Sequence, residues 1–200
     1  MPIRQESNKT KKMLFSILIG FVLISSIIGF TFSAVPFGLQ NQDSTIKYNG
    51  IEFFQTQNGI ATIIDGRVME FTYLPDELES MEIDGVTKKI SSARMIYTTS
   101  DPNSTLASQI SGAEFNMAMV LEKNYKTFVD VAFTSDNPYG KSVITCDDAT
   151  YLIPVFFFNF TNTTTSVTDQ NDCIIVNVAS EKALDRVRDK IIYELLGVLP

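Results

Sequence analysis

The stretch Ala93–Ser135, ARMIYTTSDPNSTLASQISGAEFNMAMVLEKNYKTFVDVAFTS, reads as strand, helix, strand. Leu106, Ile110, Ala113, Met117 and Leu121 recur at three- and four-residue steps, so the middle segment carries one apolar stripe that faces a sheet. Asp101 is the expected N-cap and Pro102 the first helical residue, because a cap oxygen accepts orphan amide protons and proline has no amide to leave unpaired. If the two flanking strands share a sheet, the unit is a parallel crossover and right-handed.

Upstream, GIEFFQTQ, Asn58-Gly59, IATII, Asp65-Gly66 and RVMEFTYLP read as a β-meander. Both dipeptides suit two-residue type I′ turns, whose central residues take positive φ. Pro75 ends the third strand, and DELESMEIDGVTK is a polar connection with room for a helical turn. Downstream, KSVITC, YLIPVFFFNF and DCIIVNVA are expected strands, the last two separated by a Thr/Asn-rich turn. A closing helix is expected from Glu181 to about Leu196, capped by Ser180. Its stripe is Leu184, Val187, Ile191 and Leu195, and Lys182, Asp185, Arg186 and Asp189 are expected to face water. CIIV and PVFFF lack alternation, which points to strands buried on both faces. Val155, Phe156, Phe157 and Phe158 are then expected to be buried in a central strand between the two long helices, with Pro154 at its start. The fold class is α+β (mixed α/β), a mixed sheet with helices packed on it.

No charge falls between Lys12 and Asp43, and the apolar core 13–32 is long enough to cross about 30 Å of hydrocarbon at ~1.5 Å per helical residue. Arg4, Lys9, Lys11 and Lys12 outweigh Glu6 on the preceding flank, so the positive-inside rule keeps the N-terminus in the cytoplasm. The expected organisation is a cytoplasmic basic tail (1–12), a transmembrane signal anchor (13–32), a juxtamembrane linker (33–46) and one extracytoplasmic α+β domain (47–200). A cleaved signal peptide competes with this reading. The apolar core exceeds the usual ~7 to 15 residues and lacks an A-x-A site, which favours a retained anchor.

The composition, 44% hydrophobic with 20% charged, is that of a folded chain rather than a disordered one. The first 32 residues hold four basic and one acidic residue, leaving twelve basic and twenty-two acidic beyond them. An outer domain so acidic is repelled by nucleic acid, so no nucleic-acid partner is expected. The chain has no histidine, which removes Ser-His-Asp and Cys-His hydrolases, HExxH proteases and four-ligand Cys/His zinc sites. Nucleotide-binding glycine motifs are absent too, and neither a cofactor nor a metal is expected. Paired carboxylates remain, Glu77/Glu79 and Asp147/Asp148. Acids on exposed turns are usually solubilising charge, and the spacing of the second pair does not match an EF-hand calcium loop. The protein is therefore not expected to be an enzyme.

Cys146 and Cys173 are the two cysteines. Outside the cytoplasm an even count of two reads as one disulfide, whereas a reactive thiolate at Cys146 would be disfavoured by Asp147 and Asp148. Thr98, Thr99, Ser100 and Asp101 stand at the carboxyl end of a strand, the usual crevice position for a ligand. A capped turn explains the same letters. A pocket where Asp101, Asp130 and Asp136 converge would favour a ligand, and an exposed apolar patch would favour a partner. Asn103, Asn159 and Asn162 begin glycosylation sequons expected in turns or helix starts.

The Lys-flanked anchor, YNGIEF, ITCDDATYLIPV, NDCIIVNV and DRVRDKIIYELLGVL together resemble short single-pass archaeal membrane proteins of unknown function. The resemblance implies an archaeal surface location and a Cys146–Cys173 pair in the framework. The expected function is that of a membrane-anchored extracytoplasmic binding or structural domain, an accessory component of a cell-surface complex with a protein partner. The alternative is a small-ligand receptor or histidine-independent enzyme using the crevice near Thr98 to Asp101.

Overall fold

A computed structural model of the chain describes residues 45–57, 59–83 and 85–200, together with Ile19. The chain divides into two units, Met1–Ser44 and Thr45–Pro200. The basic tail and the anchor as a whole lie outside the described residues, among which no helix is long and apolar enough to cross a membrane.

The second unit opens with the meander. Strands β1 (Ile46–Tyr48), β2 (Ile51–Gln55), β3 (Ile60–Ile64) and β4 (Arg67–Phe71) pair antiparallel in chain order. The Asp65-Gly66 turn forms as expected, with φ of 51° and 73°, and Asn49-Gly50 makes a second turn of that kind ahead of β2. The β2–β3 link is not the two-residue turn anticipated at Asn58-Gly59. Gln55 pairs with Ile60, so four residues intervene, closed by the Thr56 amide on the Gly59 carbonyl at 2.9 Å. Asn58 itself lies outside the described residues. Gly59 is required here: its φ is 152°, and a Cβ would collide with the Phe71 carbonyl oxygen.

The connection after β4 is less polar in effect than in composition. Pro75–Leu78 form a 3₁₀ turn and Val86–Ser92 a short helix, α1. Leu78, Ile83, Val86 and Ile90 are all buried, so the acidic letters between them conceal a core-facing segment.

The second sheet contains β5 (Met95–Ser100), β6 (Phe128–Phe133), β7 (Val155–Phe160), β8 (Ser166–Gln170) and β9 (Cys173–Val178), in the order β6-β5-β7-β9-β8. All pairs are parallel except β8 with β9. The strand-helix-strand unit stands as read, with α2 (Ala107–Tyr125) between β5 and β6. The helix starts later than Pro102. Asp101 Oδ1 accepts the Asn103 amide at 2.9 Å, and the Asp101 carbonyl accepts the Ser104 amide at 3.0 Å, so Asp-Pro-Asn-Ser closes a β-turn instead of a first helical turn. KSVITC is not a strand either: Val143 makes one isolated bridge to Phe133. The expected Thr/Asn-rich turn contains β8, an edge strand too polar to show alternation, which turns into β9 through Asn171 and Asp172 at φ of 50° and 68°.

The final helix, α3, spans Glu181–Leu195, with Ser180 Oγ accepting the Ala183 amide at 3.2 Å. Its expected stripe is buried, and so is one residue expected in water. Asp189 is fully enclosed. Its Oδ2 accepts the amides of Thr72 (2.7 Å) and Tyr73 (3.0 Å), and its Oδ1 accepts from Arg188 Nη2 at 2.7 Å. Burial raises this carboxyl above the ordinary aspartate range, opposed by the guanidinium and the two amides. Arg186 is also engaged, lying 5.0 Å over the Tyr73 ring with Nη2 donating to the Glu77 carbonyl at 2.7 Å. Tyr193 stacks on Phe71 with ring centroids 4.1 Å apart and donates to the Tyr73 carbonyl at 2.8 Å. One apolar core therefore runs from the meander (Phe53, Ile60, Phe71) through α1, α2 and α3 to Ile96, Phe156, Phe158, Ile174 and Val176 of the parallel sheet.

Strand β7 is central, between β5 and β9, and Pro154 immediately precedes it. The expectation that Val155, Phe156, Phe157 and Phe158 all lie between the helices holds for only two of them. Alternation sends Phe156 and Phe158 into the helix-facing core. Val155 and Phe157 point to the opposite face, where Val155 is buried and Phe157 half-buried.

Candidate functional site

The strand order places β6 and β7 on opposite sides of β5, a topological switch at whose carboxyl end ligands commonly bind. Thr98, Thr99 and Ser100 stand there, all buried. Thr99 Oγ1 donates to the Ile144 carbonyl at 2.7 Å, and the Ser100 carbonyl accepts the Thr134 amide at 3.0 Å. Asp101 is exposed but shapes its own turn. These residues support the crevice more than they line it. The three aspartates do not gather: Asp130 shares the face of Tyr97, away from the helices, and Asp136 is on an exposed loop.

A groove of about 550 Å³ lies beside this point. Its floor is Val131 and Phe133 of β6, its wall is Pro102 with Ala107, Ser108 and Ser111 of α2, and its rim is Tyr139 and Lys141. The rim loop is shaped by Asn137, whose Oδ1 accepts the amides of Tyr139 (3.1 Å) and Lys141 (3.2 Å) and whose Nδ2 donates to the Lys141 carbonyl at 3.0 Å. Gly140 takes the positive φ (65°) that the tight return needs. The Tyr139 ring rests against Phe133 with centroids 5.4 Å apart.

Glu114, which no motif or turn signal singles out, faces inward from the same helix and is 2% exposed. Its Oε1 has no hydrogen-bond partner, and neither has Thr98 Oγ1 on the helix-facing side of β5. Burial pushes the Glu114 carboxyl up to about 7, a rise the Thr98 hydroxyl opposes without reaching hydrogen-bond geometry. The one signal in the sequence is an acid set among Ile110, Ala113, Met117 and Leu121 on an otherwise apolar stripe.

This burial makes stability depend on pH. The unfolded chain ionises Glu114 near 4.5 and the folded chain near 7, so between these values the folded state holds the extra proton. Stability is full below pH 4.5, falls as pH rises through that window and levels off above it, a total of about 3 kcal/mol. Urea unfolding across the window is expected to show this slope in the wild type. Glu114→Gln should flatten it and be the more stable protein at about pH 8. Parallel slopes in the two proteins would refute the assignment.

The opposite face of the sheet carries the disulfide. Cys146 begins a 3₁₀ turn, Cys146–Asp148, and Cys173 begins β9, with Cα atoms 5.2 Å apart. The bridge pins the long β6–β7 connection across the sheet, beside a cleft of about 310 Å³ lined by Thr134, Thr145, Cys146, Asp147 and Phe157. The candidate carboxylates serve turns: Asp148 Oδ2 accepts the Thr145 amide at 2.8 Å and Glu77 Oε2 the Leu74 amide at 2.8 Å, while Glu79 accepts from the Tyr48 hydroxyl at 2.7 Å. Among the described residues no three Cys, Asp or Glu side chains are grouped to hold a metal ion. Asn103 and Asn162 are exposed in loops. Asn159 is not in a turn: it sits within β7, its Nδ2 donating to Asn177 Oδ1 at 2.7 Å. Comparison with protein families, curated proteins and solved structures finds no match to this chain.

Proposed function

We propose that this chain is a membrane-anchored extracytoplasmic binding domain, an accessory component of a cell-surface complex, with its N-terminus in the cytoplasm. The observation that carries the reading is the Cys146–Cys173 bridge, because structural disulfides persist in oxidising compartments. It agrees with the basic flank and apolar core of residues 4–32. Binding is favoured over catalysis because one carboxylate of each pair, Glu77 and Asp148, is used in capping a turn, while Tyr151 and Leu152 project from the disulfide-closed loop at 82% and 75% exposure.

Protease added to intact cells is expected to remove the C-terminal domain and leave a small membrane-bound fragment. A mature chain beginning after Ser33 would instead show a cleaved signal. Cys146 and Cys173 should resist alkylation until the protein is reduced, and replacing both with Ala should lower stability by about 2–4 kcal/mol. Labelling of Cys146 in the native protein without reductant would overturn the extracytoplasmic reading.

The groove beside Pro102 favours a second reading, a small-ligand receptor. Its volume falls within the range of about 300–1,000 Å³ usual for such sites. Fluorescence or calorimetric titration of the wild type against Ser111→Leu, which fills the groove wall, tests it: the variant should lose ligands that the wild type binds.

A further inference from the structure

We propose that the groove receives a small amphoteric molecule of the free amino acid class, its ammonium group on Glu114 and Thr98 at the inner end and its carboxylate toward Lys141 at the rim. This assignment rests on the small-ligand reading of the groove and names the class of ligand that its chemistry fits.

The placement comes from the helix and the strand register. Ala107, Ser111 and Glu114 fall within about 60° of one another around α2. The first two line the groove wall, so Glu114 continues the same stripe one turn further in. Thr98 pairs in register with Val131, a floor residue, and shares its face of the sheet. The two unpartnered oxygens therefore lie buried beneath the groove's lining, at the level of Val131, and a ligand's ammonium reaches them from the groove floor.

The ligand's chemistry is set by what these groups lack. Buried side-chain oxygens in folded proteins almost always have donors, and a buried carboxylate needs a cation. Thr98 Oγ1 and Glu114 Oε1 have no partner in hydrogen-bond geometry among the described residues, and no cation acts on the carboxyl, whose one neighbouring donor is the Thr98 hydroxyl. An ammonium supplies three donors and one positive charge, which suits a carboxylate and a hydroxyl oxygen together. A bare amine would, however, meet Lys141 at the rim, the one cation lining the groove among the described residues. A carboxylate at the other end of the ligand turns that repulsion into attraction. Ser108 and Ser111 offer hydroxyls between the two ends, and the paired rings of Phe133 and Tyr139 offer an apolar surface for a side chain. The raised carboxyl of Glu114 is consistent with a charge site waiting for its counter-ion.

The test is calorimetric titration of the full chain in detergent micelles with three probes: L-phenylalanine, phenethylamine, which lacks the carboxylate, and 3-phenylpropionate, which lacks the ammonium. Phenylalanine is expected to bind best, and each analogue about tenfold or more weaker. Glu114→Gln should weaken phenylalanine by a similar factor and leave 3-phenylpropionate unchanged. Lys141→Met should weaken phenylalanine and, by removing the like charge, leave phenethylamine bound as well as before or better. Thermal melts confirm that each variant is folded. Equal binding of phenylalanine by wild type and Glu114→Gln would overturn the proposal. If 3-phenylpropionate binds as well as phenylalanine, in a manner Ser111→Leu abolishes, the ligand class is wrong and the groove reading survives. If none of the three probes binds the wild type, both fail.

Discussion

Asp189→Ala is expected to lower the unfolding free energy by about 3–5 kcal/mol, although the residue sits among charged letters that read as a solvated face. Three losses combine. The amides of Thr72 and Tyr73 become buried donors with no acceptor. Arg188 keeps Asp185, at 2.9 Å, but loses the carboxylate it holds with two nitrogens. The segment leaving β4 also loses two of its attachments to α3, keeping the Tyr193 hydroxyl on the Tyr73 carbonyl and Arg188 on the Thr72 hydroxyl, so the meander is held less firmly beside the Phe71–Tyr193 stack. Asp189→Asn keeps one acceptor oxygen for the two amides and should lose roughly half as much. Denaturant unfolding at neutral pH measures both. A change below about 1 kcal/mol for the alanine variant would show that these hydrogen bonds do not hold the meander in place.

Phe156→Ala is expected to cost about 3–5 kcal/mol, and Phe157→Ala distinctly less. Phe156 is fully buried, its ring 5.0 Å from that of Phe158, in the apolar core shared with α2 and α3. Truncation there leaves a cavity whose walls are a sheet and two helices, elements that cannot collapse to fill it. Phe157 is half-buried on the other face and lines the cleft beside Cys146, where water already reaches. The pair of neighbours thus reports which face each strand side presents. Equal losses would place both rings in one closed core. A Phe156→Asp, Phe158→Asp double variant that stayed folded would contradict the central placement of β7 outright, since it would bury two unpaired carboxylates.

Asp189 and Phe157 also mark where local pattern stops being informative. Leu106, Ile110, Ala113, Met117 and Leu121, and likewise Leu184, Val187, Ile191 and Leu195, are recognisable because helical spacing alone gathers them on one side of a helix. Asp65-Gly66 is recognisable because few residues tolerate positive φ in succession, and Pro154 because a residue without an amide belongs at a strand's start. The disulfide was expected from an even count of two cysteines together with the extracytoplasmic placement expected from the N-terminal segment, and the bridge is present. All of these are set by neighbours in the chain or by composition, so the sequence by itself determined them, along with the α+β class.

Tertiary structure decided the rest. The order β6-β5-β7-β9-β8 depends on which strands lie side by side after long connections, and with it the switch point and the groove. β8 has no apolar pattern because an edge strand exposed on most sides needs none; only its pairing with β9 defines it. Asp189 and Glu114 have letters that, in isolation, belong in water. Asp189 is buried because the end of β4 brings two backbone amides to it from more than a hundred residues away. Glu114 is buried because α2 packs its stripe on β5, where the opposing side chain is Thr98, whose hydroxyl stays short of hydrogen-bond geometry. A charged side chain's fate is fixed by the groups that arrive opposite it, and no spacing within the chain encodes which groups those will be.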